Sequence, residues 1–527
     1  MFAPETHAEA TNPQSAVDPV PDSPAVAEKQ SRGPLIAASL AILLVTAGLL
    51  VYSQTLAFAW DEGYHLVAAF LIAHGKIPYI DFVFPQTPLN AYWNALLLKI
   101  FGESWRVPHT AAAILTSCAV AMIAGYVYRT LPASRSWRGA AAIAAAVIMG
   151  CNTAVVDFGS LQAYGMCLVM MVAAYLATVS GVNRASLLRP ALAGLCAGAA
   201  AASSLLTAPV APVLVVWMLL VNRAGVRIGK LAVFCVGYVV AFIPLLRLLV
   251  KAPHPVIFGF LHYQLLYRKV EWDGAGVHNL GEVLSWANSS QAVLLVLLAA
   301  AGIAFADHRR LQSPGGSASW RTSPQSELYL CGWLAIALTI HLLTARPTFT
   351  RYFLLTVPFL SILAANGLYE VTTRLASRPR PWLAAGILCA ITVYGLSASL
   401  FDERDDLMWK DVEQAAAKVR EVTPPTAALL ADETVYFLLR RTPPSGMELE
   451  DSHKLRFPDS EAAALHIVPR PKLDLMIRAG RFDTVEMCDD DEISRIGLAT
   501  LYGKSATVGT CQVFWSFGTK PQPEAEK

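Results

Sequence analysis

Long apolar stretches recur along most of this chain, and short loops rich in Arg separate many of them. A helix that crosses the hydrocarbon core of a bilayer needs roughly 20 mostly apolar residues. Eleven stretches of about this kind predict helices, at 36–58, 107–129, 138–155, 161–180, 189–206, 208–222, 231–250, 290–306, 327–344, 352–370 and 382–400. The sequence therefore predicts an all-α polytopic membrane protein with about 11 transmembrane helices.

The composition agrees with this fold class. Charged residues make up 15% of the chain, against about 25% in ordinary soluble domains. The formal net charge is +2, and no basic run is longer than a loop-sized cluster. The expected surroundings are membrane lipids, and nothing in the charge pattern indicates a nucleic-acid partner.

The loops predict the orientation, because cytoplasmic loops carry an excess of Lys and Arg. With the N-terminus in the cytoplasm, every predicted inside loop is basic, and an odd number of spans puts the C-terminus outside. The basic residues of these loops are Arg129, Arg135 and Arg138; Arg184 and Arg189; Arg223, Arg227 and Lys230; Arg309, Arg310 and Arg321; and Arg374, Arg378 and Arg380.

The chain divides into three predicted regions. Residues 1–33 resemble a disordered cytoplasmic tail, and 34–400 form a transmembrane domain with long outer loops at 59–106 and 251–289. The region 401–527 alternates helix-like and strand-like patterns, which predicts a small extracytoplasmic α/β domain. Its strand-like runs are 427–431, 473–477, 484–488 and 513–517. Cys488 and Cys511 lie in this domain and could pair if it faces an oxidising compartment.

Two adjacent carboxylates, Asp61 and Glu62, follow the first apolar stretch. Acids after a helix are commonly hydrated loop residues. A catalyst acting on a lipid-borne substrate would also place acid and base groups at this depth. Two stretches that could lie in the interface flank the loop, at 63–74 and 91–102, and 89–101 is too short to span the membrane.

Several motifs surround the acid pair. They comprise Gly75, Pro78, Tyr79 and Asp81, then Pro85, Gln86 and Pro88, and finally Phe101-Gly102. Far along the chain, Arg351 and Tyr352 begin an R-Y-x-L-x-x-x-P motif that ends at Pro358. These residues resemble the first outer loop and one late helix of the GT-C superfamily of membrane glycosyltransferases. The likeness is to the branch of the dolichyl-phosphate-mannose protein mannosyltransferases and the lipid A aminoarabinose transferases. The hydrophobic middle of the chain matches only in topology.

The resemblance implies a GT-C fold and an inverting sugar transfer from a polyprenyl-phosphate donor to an extracytoplasmic acceptor, which could be a protein, a lipid or a glycan. Such a reaction needs a base for the acceptor and positive charge for the departing phosphate. Asp61 is then the expected base, and Glu62 orients the acceptor or helps to hold a divalent cation. Asp157 matches the second acid of the family, although a helix-capping role suits it equally well.

Basic residues of the outer loops are the expected phosphate ligands, because Arg offers paired donors to phosphate oxygens. They are Arg268, Lys269, Arg346 and Arg351. Snorkelling towards lipid headgroups is the alternative for each of them. Asp81 could be a site residue or could hold the loop by local backbone bonds. Tyr79, His65 and Tyr352 complete the predicted site as supporting residues.

Two other functions remain compatible with a polytopic chain. A transporter or flippase would also carry many helices, but transporters typically show internal repeats and broken helices at the midplane. No repeat is visible here, and the acids collect in outer loops. A non-catalytic assembly factor that displays the C-terminal domain is the second alternative, and it leaves the first-loop motifs without a role.

Overall fold

The computed structural model describes nine segments of the chain: residues 32–55, 62–159, 162–182, 186–265, 275–312, 326–345, 347–402, 409–455 and 457–518. Several predicted features lie outside these segments: residues 1–31 of the N-terminal tail, Asp61, Arg184, Arg268, Lys269, Arg321 and Arg346.

The first part of the described chain is helical. Its helices are α1 Gly33–Thr55, α2 Glu62–Ala73, α3 Leu89–Phe101, α4 Arg106–Thr130, α5 Arg135–Gly150, α6 Thr153–Gly159, α7 Gln162–Gly181, α8 Leu188–Ser203, α9 Val210–Val221, α10 Ala224–Ala241, α11 Ile243–Lys251, α12 Pro253–Ile257, α13 Ala275–Asn288, α14 Ser290–Gln312, α15 Ser326–Thr344, α16 Val357–Leu375 and α17 Pro381–Asp402. A π-helical turn, Phe258–His262, and 3-10 turns at Leu205–Thr207 and Thr350–Leu355 connect some of them.

Seven helices of the described segments are long and apolar enough to cross a membrane, or eight if the bent pair α5–α6 counts as one span. The chain is a multi-pass membrane protein on this ground. The seven are α1, α4, α7, α10, α14, α15 and α17. Because α8 and α9 are shorter than a full span, the total of about 11 stays a prediction.

Small residues let the helices pack closely. A Cβ atom added to Gly194 of α8 would lie 1.9 Å from the carbonyl oxygen of Phe234 in α10, and one added to Gly367 of α16 would lie 1.9 Å from that of Leu298 in α14. Any larger residue would force these helices apart. Such contacts are typical of membrane helix pairs, whose association depends on close van der Waals packing.

Two predicted helices are interrupted. The predicted 138–155 helix ends at Gly150, and α6 then leaves α5 at an angle of 59°. The predicted 231–250 helix is split between α10 and α11, where Pro244 occupies the first turn of the new helix. Proline has no N–H to continue a helical ladder, which explains the second break.

The C-terminal domain is a small mixed sheet covered by helices. Its elements are α18 Trp409–Val422, β1 Leu429–Leu430, α19 Glu433–Leu439, α20 Asp459–Ala464, α21 Arg470–Arg478, β2 Thr484–Met487, α22 Asp490–Ile496, α23 Leu498–Leu501, β3 Tyr502–Val508 and β4 Cys511–Phe517, with a 3-10 turn at Glu450–Lys454. The strand order is β1-β2-β4-β3. β1 pairs with β2 in parallel, and the other pairs are antiparallel.

The expectations for this domain are met in most places. A disulfide joins Cys488 to Cys511 and so links the end of β2 to the start of β4. The strand-like run 473–477 is instead part of helix α21, which is a correction. Leu473 and Ile477 are buried at a spacing of four residues, which places both on one face of a helix. Strand β3, at the edge of the sheet opposite β1, was not predicted from the sequence.

The sheet domain is seated directly on α2. A Cβ atom added to Gly63, the second residue of that helix, would lie 3.1 Å from the Cβ atom of Glu433 in α19. Phe70 of α2 packs edge-on against Phe437 of α19, with ring centroids 6.3 Å apart. Helix α2 therefore lies between the membrane bundle and the sheet domain.

Candidate active site

Glu62 begins α2, and its side chain is buried where the bundle meets the sheet domain (2% exposed). Its Oε1 atom contacts Nε2 of His109 in α4. The Nδ1 atom of the same ring lies 2.8 Å from the carbonyl oxygen of Ser53, near the end of α1. A carbonyl oxygen only accepts, so Nδ1 carries a proton. Nε2 is then the ring atom that faces the Glu62 carboxyl, and the imidazole ties together three helices.

Aromatic rings enclose His109. Trp105, just before α4, and Trp409, at the start of α18, meet its ring edge-on at 5.0 and 5.8 Å. The two indoles stack on each other, and Trp105 Nε1 donates to Oε1 of Glu413 at 2.9 Å. The sheet domain thus supplies one wall of the pocket that holds the Glu62–His109 pair.

Asp157 lies within α6 rather than at the end of a helix. Its Oδ1 atom accepts a hydrogen bond of 2.8 Å from the hydroxyl of Tyr52. Tyr52 immediately precedes Ser53, whose carbonyl oxygen faces His109. The end of α1 therefore connects Asp157 to the Glu62–His109 pair.

Arg351 lies in the 3-10 turn before α16, and aromatic rings surround its guanidinium. The guanidinium carbon is 4.4 Å from the ring centre of Phe349, 5.6 Å from that of Tyr352 and 5.8 Å from that of Phe158. Phe158 follows Asp157 in α6, so the late motif and the second acid are neighbours in space. Tyr352 itself is buried (5% exposed).

The shape of the loop between α2 and α3 comes largely from local bonds. Tyr79 has a φ of 66°, in the left-handed region, and its hydroxyl donates to the carbonyl oxygen of Gln86. Gln86 Nε2 in turn donates to the hydroxyl of Tyr64. Asp81 Oδ2 accepts from the backbone N–H of Ile77 at 2.7 Å. In this arrangement Asp81 fastens the loop, as local Asp bonds commonly do.

His65 stacks on Tyr64 with ring centroids 4.3 Å apart. Burial lowers the pKa of His65 to about 3, so the ring is neutral at physiological pH. Its Nδ1 atom is buried and has no hydrogen-bond partner within the described segments. A neutral imidazole cannot provide positive charge for a phosphate, and its place in the wall of the loop fits a supporting residue.

The predicted role of Glu62 in holding a divalent cation stays a prediction. No group of three donor side chains in the described segments contains Glu62, and its Oε1 atom contacts His109. The groups that do occur are Asp432 with Glu433 and Glu450, and Glu486 with the two disulfide sulfurs. Burial raises the pKa of Glu433, and the nearby Asp432 carboxylate adds to this effect.

Most of the residues that meet here were predicted from the sequence, but His109, Tyr52 and Trp409 were not. A polar residue near the end of an otherwise apolar helix was the available signal for His109 and Tyr52. Nothing local marked Trp409, since its importance depends on a contact with Trp105, far away in the sequence.

Two solved structures have the same fold. ArnT from Cupriavidus metallidurans bound to undecaprenyl phosphate superposes with a TM-score of 0.64 at 15% identity, covering 94% of this chain and 100% of that one. The apo state of the same protein gives 0.61 at 16% identity, covering 92% and 97%. The oligosaccharyltransferase AglB from Archaeoglobus fulgidus gives a TM-score of 0.47 at 13% identity, covering 78% of this chain and 64% of that one. This TM-score is too low to support any inference.

Neither a protein-family profile nor a curated protein matches the sequence. The structural likeness therefore identifies the fold alone. That fold, shared with ArnT, is a helical membrane bundle that carries a small mixed-sheet domain at its C-terminal end.

Proposed function

We propose that this protein is an integral-membrane glycosyltransferase, which transfers a sugar from a polyprenyl-phosphate donor to an acceptor outside the cytoplasm, with inversion. One observation carries the proposal. A continuous series of contacts runs from Glu62 to Arg351. Glu62 contacts His109, which bonds to the end of α1. The end of α1 bonds to Asp157, and the next residue, Phe158, lies against Arg351. Two regions of the family-like sequence, nearly 300 residues apart, are thus linked by contacts between neighbouring helices.

The base in this proposal is Asp61, which directly precedes Glu62 in the chain. Glu62 is deeply buried, and its Oε1 atom contacts His109, so it is poorly suited to meet an acceptor. We assign Glu62 a positioning role: its contact with His109 holds the first turn of α2, which directly follows Asp61 in the chain. Asp157 is the second acid and orients the acceptor.

The transfer follows from these roles. The acceptor oxygen or nitrogen forms a bond to C1 of the sugar, on the face opposite the phosphate, while Asp61 takes its proton. The bond between C1 and the phosphate oxygen breaks, and the polyprenyl phosphate leaves with the electron pair. Inversion results from this single displacement.

Positive charge stabilises the departing phosphate. Arg351 is the first candidate, because it lies beside the helix that carries Asp157. We add Arg268, Lys269 and Arg346 from the outer loops as further phosphate ligands. Tyr352 and Phe349 hold the Arg351 side chain between aromatic faces, which limits the orientations of its donors.

The proposed location is the cytoplasmic membrane, with the N-terminus inside and the sheet domain outside. The basic loops support this orientation. The Cys488–Cys511 disulfide supports it independently, since disulfides persist mainly in oxidising compartments.

A transfer assay tests the proposal. Purified protein in lipid nanodiscs is given a panel of synthetic polyprenyl-phosphate sugars and candidate acceptors, and release of polyprenyl phosphate is measured. We expect Asp61→Asn to abolish release while donor binding persists, and Arg351→Ala to weaken donor binding at least tenfold. Arg378→Ala, an exposed arginine in a loop after α16, serves as the control.

The reading as a glycosyltransferase fails if the wild-type protein consumes none of the donors while Asp61→Asn and Arg351→Ala support cell function normally. Movement of a labelled lipid across the bilayer without cleavage of the sugar–phosphate bond would instead identify a flippase.

A further inference from the structure

Gln291, the second residue of α14, joins three helices at the break between α5 and α6. Its Oε1 atom accepts from the backbone N–H and the hydroxyl of Thr153, each at 3.0 Å. Its Nε2 atom donates to the carbonyl oxygens of Cys151 at 3.0 Å and Thr392 at 2.8 Å. A carboxamide has two acceptor and two donor positions, and all four are used here.

This arrangement replaces an ordinary helix cap. The first N–H groups of a helix have no partner within the helix, and an Asn just before it commonly accepts from them. Asn152 has that position, but its Oδ1 atom is buried with no hydrogen-bond partner in the described part of the chain. Gln291 caps α6 instead, from another helix.

The cap matters because α6 is very short. With seven residues, it is well below the length at which an isolated helix is stable. Its direction, 59° from that of α5, must therefore be set by tertiary contacts. Gln291 bonds residues on both sides of the break and anchors them to α17 through Thr392.

The direction of α6 determines where two residues of the site lie. Asp157 accepts from Tyr52 one turn after Thr153, and Phe158 packs under Arg351. We propose that Gln291 is a positioning residue for the transfer reaction, which holds α6 at the angle that places Asp157. This inference rests on the proposed function, although the structural role of Gln291 can be tested without it.

Two variants of Gln291 and one control test its four hydrogen bonds. Gln291→Leu removes all four hydrogen bonds at similar volume. Gln291→Glu keeps the acceptors for Thr153 but turns a carboxylate towards the carbonyl oxygens of Cys151 and Thr392. Leu294→Met is the matched control, because Leu294 lies one turn along α14 and lines the same small cavity as Gln291.

Two readouts test the proposal. For Gln291→Leu we expect kcat for sugar transfer to fall by about tenfold to a hundredfold, with the donor KM within about twofold of wild type. Combined with Asp157→Asn, Gln291→Leu should slow transfer no further than Asp157→Asn alone. Hydrogen exchange of the 151–159 peptide should become faster in both Gln291 variants and stay unchanged in Leu294→Met.

The inference is overturned if exchange at 151–159 is unaffected, or if the losses from Gln291→Leu and Asp157→Asn multiply. If the wild-type protein shows no transfer, the proposed function fails, while the exchange measurement still decides the role of Gln291. If Gln291→Leu does not accumulate in membranes, Gln291→Glu gives the same two readouts.

Discussion

The indole rings of Trp105 and Trp409 stack face to face, with centroids 4.4 Å apart and planes 3° from parallel. Trp105 belongs to the membrane bundle and Trp409 to the sheet domain, and both rings are buried (2% exposed each). This stack joins the two parts of the described chain, and it touches the imidazole that contacts Glu62.

Replacing Trp409 with Ala should weaken the packing of the sheet domain on the membrane bundle and also disturb the site. Trp409→Ala removes a buried indole, a change that typically costs about 3–5 kcal/mol. We expect a lower melting temperature and a reduced kcat for sugar transfer, since His109 loses one wall. Trp409→Phe should recover most of both. If the alanine variant is as active as the wild type, the stack of Trp105 and Trp409 does not support the site.

The Glu62–His109 pair should behave as one energetic unit. Removing one partner of a buried ion or hydrogen-bonded pair leaves the other uncompensated, at a cost of about 3–5 kcal/mol. His109→Ala and Glu62→Gln should each lower the melting temperature, and the double variant should lower it by less than the sum.

His74→Ala is the control for this cycle. His74 pairs with Glu103 at 3.3 Å, but half of its side chain is exposed, and exposed pairs contribute about 0–1 kcal/mol. Strict additivity of the His109 and Glu62 effects would contradict the contact between them.

The stability of the sheet domain should fall as the pH rises. Burial raises the pKa of Glu486 to about 8, with a further contribution from the Asp432 carboxylate. A carboxyl with a raised folded pKa binds its proton more tightly in the folded state. Its contribution is therefore full below the unfolded pKa, near 4.3, and is lost as the pH rises through about 8.

Glu486→Gln should be less sensitive to this pH range. Relative to wild type, we expect its melting temperature to gain progressively between pH 5 and pH 8.5. Glu421→Gln, whose side chain is mostly exposed, should follow the wild-type curve. A constant difference between Glu486→Gln and the wild type at all pH values would contradict the assigned cause.

Gly259 lies in the π-helical turn and packs against the loop between α2 and α3. We expect this position not to tolerate a methyl group. A Cβ atom there would lie 2.4 Å from the carbonyl oxygen of Phe84 and 2.7 Å from the ring of Tyr79. Overpacking of this kind typically costs about 1–3 kcal/mol, so Gly259→Ala should lower both melting temperature and transfer rate.

Gly281→Ala is the matched comparison for Gly259→Ala. Position 281 is helical and has open space where a Cβ would lie, and alanine favours helix over glycine. We expect equal or greater stability for this variant, and a loss similar to that of Gly259→Ala would mean that the 259 contact is not responsible.

Local patterns predicted the parts of the fold that depend on neighbouring residues. Helix α3 was expected over 89–101 and has those bounds, because its apolar periodicity lies within a single element. The edge strand β3 was missed since one of its sides faces solvent, and only Tyr502 of the strand is fully buried. Too few of its residues carry the apolar alternation that marks a strand.

The site was only partly predictable, for a related reason. Motif residues such as Glu62, Tyr79 and Arg351 could be identified one at a time. Their partners could not, because 47 residues separate His109 from Glu62 and 105 separate Asp157 from Tyr52. Gln291 likewise acts on Thr153 across 138 residues, and only the packing of the helices brings such pairs together.

The seat of the sheet domain on the first outer loop has a consequence for how the protein is made. Trp105 and Glu413 are bonded across 308 residues, and Gly63 touches Glu433. The residues of this loop are translated more than 300 residues before those that cover it, Trp409 and Glu433 among them. A nascent chain therefore exposes an incomplete pocket around His109 until the sheet domain has been made and has folded against the loop.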